Sequence, residues 1–236
     1  MKILAADTST ASGSLALLEN ERLVLEWVLN SSRTHNRRLL RSIDDALTTV
    51  GWRVRDIDGF AVTLGPGSFT GLRIGLTTIK TLAWTARKAY IGVPSLDALA
   101  AGLAYSSLPV CPLIDAHKEE MYGCLYRGDL SGEIRPLSPY GTLSVKAVAQ
   151  LVQERTLFCG DGWLVYGKAL KKVLGTLAVE ASAPFHLIRA GVVAELARKR
   201  LERGDHDDPV VSVPLYVRPS EAELNHPHAR PADLYP

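Results

Sequence analysis

Little in this sequence is extreme. Of 236 residues only three are cysteine (Cys111, Cys124, Cys159), two are methionine, and aromatic residues make up 7%. Three cysteines at these separations build neither a disulfide framework nor a zinc site, which points to a reducing compartment. An excess of one charge is also missing. The 27 Lys+Arg against 25 Asp+Glu leave a formal charge of +2. That excludes a chain-wide attraction to nucleic acid and leaves room only for a local basic stripe. No apolar run approaches the roughly 18 residues needed to span a bilayer. The start, Met1 to Ala6, reaches Asp7 too soon for a signal peptide. With 47% hydrophobic and 22% charged residues, disordered, collagenous and coiled-coil chains are excluded as well. A soluble, cytoplasmic protein of one large domain or two compact lobes is expected, without membrane contact.

What is present is a strand and helix order that occurs twice. Ile3 to Ala6, Ser14 to Leu18 and Leu23 to Val28 read as strands, with Thr8–Gly13 and Glu19–Glu21 as turns. From Thr34 to Val50 the period becomes helical, with Leu39, Ile43, Ala46, Leu47 and Val50 on one face. A strand at Phe60 to Leu64 runs through Gly65-Pro66-Gly67 into a helix from about Gly71 to Arg87. Leu72, Leu76, Ile79, Ala83 and Ala86 line that helix's buried stripe. Ser95 is a candidate N-cap for a helix over 96–105. The second half repeats the outline: strands at Val110 to Ile114 and Tyr122 to Tyr126, a helix at Ser144 to Glu154, a strand at Thr156 to Cys159, and a helix at Trp163 to Leu174. Leu4-Ala5-Ala6-Asp7 aligns with Pro112-Leu113-Ile114-Asp115, and Val62-Thr63-Leu64-Gly65 with Leu157-Phe158-Cys159-Gly160. A duplicated βββαβα unit is the simplest account. The expected division is a lobe at 1–105, a lobe at 106–223 whose helix 189–203 is a candidate to pack back on the first, and a mobile tail at 224–236.

Three segments could carry chemistry. Asp7, with Thr8 and Ser9 behind it, can hold a hydrated cation or a phosphate, or can simply cap its own turn. From Gly65 to Gly71, at the start of the block that ends at Gly75, three glycines (Gly65, Gly67, Gly71) and the hydroxyls of Ser68 and Thr70 join a strand to a helix. Such a loop is an anion or protein contact site, or a tight turn capped by Ser68 or Thr70. It is neither a P-loop nor a dinucleotide fingerprint, since no Lys-Ser/Thr pair follows and Thr70 stands where the third glycine belongs. Gly71 and Gly75 also suggest close packing against another helix. Arg33, Arg37, Arg38 and Arg41 surround His35. They form either a solvated face or a contact for phosphates or an acidic partner. A metal-binding helix needs a second ligand one turn after His35, and Leu39 stands there, so no metal is expected.

Taken together, Ile3 to Thr10, the block Gly65 to Gly75, Ser95-Leu96-Asp97-Ala98-Leu99, Ile114-Asp115-Ala116 and the closing Tyr216 to Glu223 resemble the bacterial TsaB (YeaZ) family over about 1–223. The resemblance implies an α/β fold of two actin-like lobes, ribonuclease H-like and of the actin/Hsp70/sugar-kinase (ASKHA) superfamily. Each lobe would be a mixed βββαβα sheet with flanking helices. It implies a non-catalytic subunit in the making of threonylcarbamoyladenosine at position 37 of tRNA, paired with a TsaD-type catalytic metalloprotein and joined by a TsaE-type ATPase. Homodimers are implied too, with tRNA met only through the complex. The catalytic paralogue carries a His pair at i, i+4 where this chain has His35 and Leu39. The second-lobe turn Gly160-Asp161-Gly162-Trp163 is bulky and acidic for a polyphosphate. No cofactor is therefore expected. The partner face would draw on His35, Leu39, Ile43, Arg73, Leu76, Ile79 and Lys80. Asp7, Thr8, Ser9, Gly65, Gly67, Ser68 and Thr70 would be a vestigial anion or nucleotide loop. A small-molecule kinase or phosphatase of the same superfamily would need an intact phosphate hairpin in each lobe, and a metallopeptidase would need the missing ligand.

Overall fold

The computed structural model describes residues 1–30 and 39–217. His35, Arg33, Arg37, Arg38 and the tail 224–236 lie outside the described residues. Strands β1 (Lys2–Asp7), β2 (Ser12–Glu19) and β3 (Arg22–Asn30) form an antiparallel meander. Helix α1 (Leu39–Val50) leads to β4 (Gly59–Gly65), and α2 (Phe69–Ala86) leads to β5 (Ala89–Pro94). Both of these strands run parallel to β1, giving the order β3-β2-β1-β4-β5. A short α3 (Ser95–Ala101) crosses to the second half.

The second half rebuilds this sheet from shorter pieces. They are β6 (Val110–Asp115), β7 (Met121–Gly123), β8 (Tyr126–Gly128), β9 (Ile134–Pro136), β10 (Gly141–Leu143), α4 (Val145–Leu151), β11 (Thr156–Cys159), α5 (Asp161–Leu174) and β12 (Ala178–Glu180). Helix α6 (Ala190–Glu202) follows. The order β10-β7-β6-β11-β12 matches the first sheet position for position. The hairpin partner expected at Tyr122 to Tyr126 is split into β7 and β8. Leu113 faces Gly123 and Val110 faces Tyr126, so both pieces keep one register across the break. At the break, Ser138 Oγ accepts the Leu125 N–H (3.0 Å) in place of a strand neighbour.

Three cores stack through the molecule. Leu39, Ile43, Ala46 and Leu47 of α1, with Leu76, Ile79 and Ala83 of α2, pack on the outer face of the first sheet. The stripe period puts these side chains on one side of each helix, and fully burying one stabilises the fold by about 1.5–3 kcal/mol. Between the sheets, Ile3, Ala5 and Ala16 meet α3, α6 and the inner face of β6. Phe158, Trp163, Leu170 and Val148 close the far side, with Phe158 stacked on Trp163 at 4.8 Å. Helix α6 lies across β1, β2, β4 and β5, so the last helix of the second half packs on the first sheet. Glu26 of β3 holds its start: one carboxylate oxygen accepts from Gly191 N (2.9 Å), and the other pairs with Arg189.

Three local readings need correction. Ser95 is not an N-cap; it is the first residue of α3, after Pro94, and its hydroxyl oxygen is buried without a partner. Gly71 and Gly75 pack against Thr8 of the β1–β2 turn, not against a helix. The internal alignment also shifts: Cys159 pairs with Pro112, whereas Leu4, the counterpart of Pro112, pairs with Phe60. Cys159 therefore corresponds to Phe60 and not to Leu64. The first-half strand runs on to Gly65, while its counterpart ends at Cys159.

Candidate functional site

Both halves place an aspartate at the end of their first strand, and both fold the next residues around it. Asp7 Oδ1 accepts from Ser9 N (2.9 Å), Ser9 Oγ (2.6 Å) and Thr63 Oγ1 (2.6 Å). Asp115 Oδ1 accepts from His117 N (2.9 Å) and Tyr166 Oη (3.2 Å). The shared i to i+2 bond is an Asx turn. Asp7 is fully buried and its Oδ2 has no partner. Burial raises its pKa, and the bonds from Ser9 and Thr63 only partly oppose that.

The glycine loop lies against this turn. Ser68 Oγ caps α2 by accepting from Gly71 N (3.3 Å), and Ser68 N donates to the Ser9 carbonyl (2.6 Å). Thr8 Oγ1 donates to the Gly71 carbonyl (2.8 Å). A Cβ on Gly67 would collide with the Ser9 carbonyl oxygen, one on Gly71 with the Thr8 carbonyl oxygen, and one on Gly75 with Thr8 Oγ1. Glycine is needed here because backbone meets backbone. At this helix start the amides of Ser68 and Gly71 already have protein acceptors. Thr70 lies in the first turn of α2 with its side chain outward, and Gly65 backs onto the Leu215 carbonyl.

In the second half the strand-to-helix turn presses on β6 in the same manner. A Cβ on Gly160 would strike the Leu113 carbonyl oxygen, and one on Gly162 the backbone of Leu113 and Ile114. Asp161 then sits beside Asp115, its Oδ1 accepting Asp115 N (3.1 Å). Burial, followed by the neighbouring carboxylates of Asp115 and Asp7, pushes the Asp161 carboxyl up to about 6. Three acids thus converge where a polyphosphate would bring further negative charge. His117, Lys118 and Glu119 turn the hairpin with φ of 58°, 53° and 64°, three left-handed residues in succession. Among the described residues no group of three or more His, Cys, Asp or Glu is placed to hold a metal ion.

The residues expected at a partner face separate into two sets. Leu39, Ile43, Leu76 and Ile79 are buried in the core beneath α1 and α2, whereas Arg73 and Lys80 reach the surface of α2. Exposed apolar side chains flank them: Leu40 on α1, with Phe69 and Trp84 on α2. Thr63, the third donor to Asp7, was not legible as a site residue, because a threonine inside an apolar strand carries no signal of its own. A cavity of about 320 Å³ lies elsewhere, between β5, the 132–134 hairpin and the end of α6. Its Arg200 and Arg203 are already paired with Asp205, Asp207 and Glu133.

Comparison with known proteins gives a consistent picture. A family model described as TsaD, tRNA N6-adenosine threonylcarbamoyltransferase, matches residues 29–226. The tRNA threonylcarbamoyladenosine biosynthesis protein TsaB of Bacillus subtilis is 29% identical over 94% of this chain and 96% of its own. TsaB of Escherichia coli is 34% identical over 69% of this chain and 72% of its own. The solved structure of YeaZ from Pseudomonas aeruginosa superposes with a TM-score of 0.76 at 28% identity, over 91% of this chain and 99% of that one.

Proposed function

The chain belongs to the TsaB (YeaZ) family, and from that premise we propose that it is the non-catalytic subunit of the machinery that makes threonylcarbamoyladenosine at position 37 of tRNA. In this reading it pairs with a TsaD-type subunit, which performs the transfer, and a TsaE-type ATPase joins the pair. The chain meets tRNA only through that complex, works in the cytoplasm, and binds no metal or nucleotide of its own. Homodimers would use the same first-half face.

One observation carries the non-catalytic part of this reading. In the glycine loop, Gly67, Ser68 and Gly71 are packed against the chain's own Thr8 and Ser9 backbone. Asp7 is at the same time buried and bonded inward. One oxygen of that carboxylate is held by Ser9 and Thr63 and the other is buried, so Asp7 presents neither to solvent. The acidic crowding around Asp161 works against nucleotide binding in the other half. What remains available is surface: Arg73 and Lys80 on α2, with Leu40, Phe69 and Trp84 exposed nearby. His35 would add to this face from outside the described residues.

Light scattering during size-exclusion chromatography tests the pairing, using this chain, the TsaD-type protein of the same organism, and their mixture. A one-to-one complex that is weakened by Arg73→Glu/Lys80→Glu is the expected result. No complex at micromolar concentrations, together with ATP turnover by this chain alone, would overturn the reading.

A further inference from the structure

The cavity beside the end of β5 lies apart from both aspartate turns and takes its walls from both halves of the chain. Its volume of about 320 Å³ stands at the small end of ligand sites, which run from roughly 300 to 1,000 Å³, so it suits a small molecule. Val93, Pro94, Ile134 and Leu196 make its aliphatic walls. Most of the ionisable groups that line it already hold one another. Arg200 donates to Asp205, to Asp207 and to the Gly92 carbonyl oxygen (3.1 Å), which engages the whole guanidinium. Arg203 pairs with Glu133 (2.7 Å) and so joins α6 to the hairpin.

Two groups of opposite sign are left over. Lys199, half-buried on α6, has no hydrogen-bond or ion-pair partner among the described residues. Asp97, on α3, has one oxygen engaged: Oδ1 accepts from Tyr126 Oη (2.6 Å) and Tyr140 Oη (2.7 Å). Those two hydroxyls hold the carboxylate in place, and Oδ2 is without a partner among the described residues. Ammonium and carboxylate line one cavity, yet no ion pair joins them. A partly desolvated charge gains most from a partner of opposite sign brought into the same space. A plain anion would meet Lys199 but also approach Asp97 and Glu133. A plain cation would meet Asp97 but also approach Lys199 and two guanidiniums. A molecule with both charges on one short frame answers both groups at once. Since the guanidiniums are engaged, nothing remains to neutralise a third charge.

We propose that this cavity binds a small free α-amino acid as its zwitterion. The carboxylate would lie on Lys199 Nζ, the ammonium on Asp97 Oδ2, and a short uncharged side chain against Val93, Pro94 and Leu196. The site goes beyond the subunit role proposed above and does not depend on it, because none of these residues belongs to the expected partner face.

Isothermal titration of the full-length chain tests this. The probes are valine and threonine, with N-acetylvaline and valinamide as analogues that each lack one charge. Saturable binding of both amino acids at millimolar concentration is expected. Each analogue on the wild type, and valine on Lys199→Gln or Asp97→Asn, should bind about tenfold or more weakly. Asparagine keeps an acceptor for both tyrosines, and circular dichroism checks that the variants fold. Where a variant does not fold, the two analogues probe the same contacts on the wild type. No binding of either amino acid overturns the proposal. N-acetylvaline that binds as tightly as valine overturns it in favour of a carboxylate site, and valinamide that does so overturns it in favour of an amine site. Unchanged affinity in both folded variants places the ligand elsewhere and overturns the assignment.

Discussion

The two halves share a topology and differ at the turn where chemistry would occur. In the first, β4 runs to Gly65, Thr63 reaches Asp7, and a Gly-Pro-Gly turn delivers the Ser68 cap of α2. In the second, β11 stops at Cys159, and Asp161 opens α5 directly beside Asp115. Both turns are closed by glycine pressed on backbone, at Gly67 and Gly71 in one and at Gly160 and Gly162 in the other. The first half satisfies its carboxylate with hydroxyls, while the second sets carboxylate beside carboxylate. Duplicated topology therefore does not preserve a duplicated anion site: the extension of β4 past Phe60, the counterpart of Cys159, decides which side chains meet.

The largest expected effect breaks the first turn. Gly71→Ala puts a Cβ into the Thr8 carbonyl oxygen, where neither backbone can yield. A loss of about 3 kcal/mol or more in urea denaturation is expected. Gly160→Ala, at φ 95° and against the Leu113 carbonyl, should cost a comparable amount in the second turn. A variant that unfolds as wild type does would show the turn to be looser than described.

Next comes the carboxylate pair. An aspartate raised from 3.8 to about 6 by burial holds its proton longer in the folded chain than in the unfolded one. Its ionisation therefore costs stability as pH rises through that window, fully above it and not at all below it. Asp161→Asn keeps the acceptor for Asp115 N and removes the charge. It should gain about 2 kcal/mol at neutral pH and nothing at acid pH, so that the pH profile of the denaturation midpoint flattens. An unchanged profile would mean that solvent reaches Asp161.

In the first half, Thr63→Val removes one of the three donors to Asp7 Oδ1. The expected cost in urea denaturation is about 1–2 kcal/mol. Arg203→Ala breaks an exposed ion pair to Glu133, which joins the end of α6 to the second half (2.7 Å). Its effect should stay below about 1 kcal/mol. A larger loss would show that the halves depend on that link more than on the core beneath α6.

The sequence made the periodic parts legible and left the contacts between distant segments hidden. The α1 stripe from Leu39 to Leu47 lies where its spacing predicts, because a 3.6-residue period needs no tertiary information. The repeat was visible from Asp7 and Asp115, each ending an apolar run. The shift between β4 and β11 was not, since Leu64 and Cys159 both look like strand ends before a glycine. The Gly65–Gly75 block was readable as a site of close approach, but what it approaches, Thr8 and Ser9, lies some sixty residues away in the chain. In sequence, residues 205–214 are simply polar and proline-containing. The hold of that stretch on the first half depends on Tyr90 and Lys80, which no local pattern announces.

The most direct test of the central claim is threonylcarbamoyl transfer to tRNA in a reconstituted reaction, supplied with threonylcarbamoyl-adenylate and the TsaE-type ATPase. This chain alone, the TsaD-type subunit alone and both together are compared by the modified nucleoside formed. The account predicts no product from this chain alone and a marked gain when it joins the TsaD-type subunit. Product formed by this chain alone, or no gain on adding it, would contradict the account.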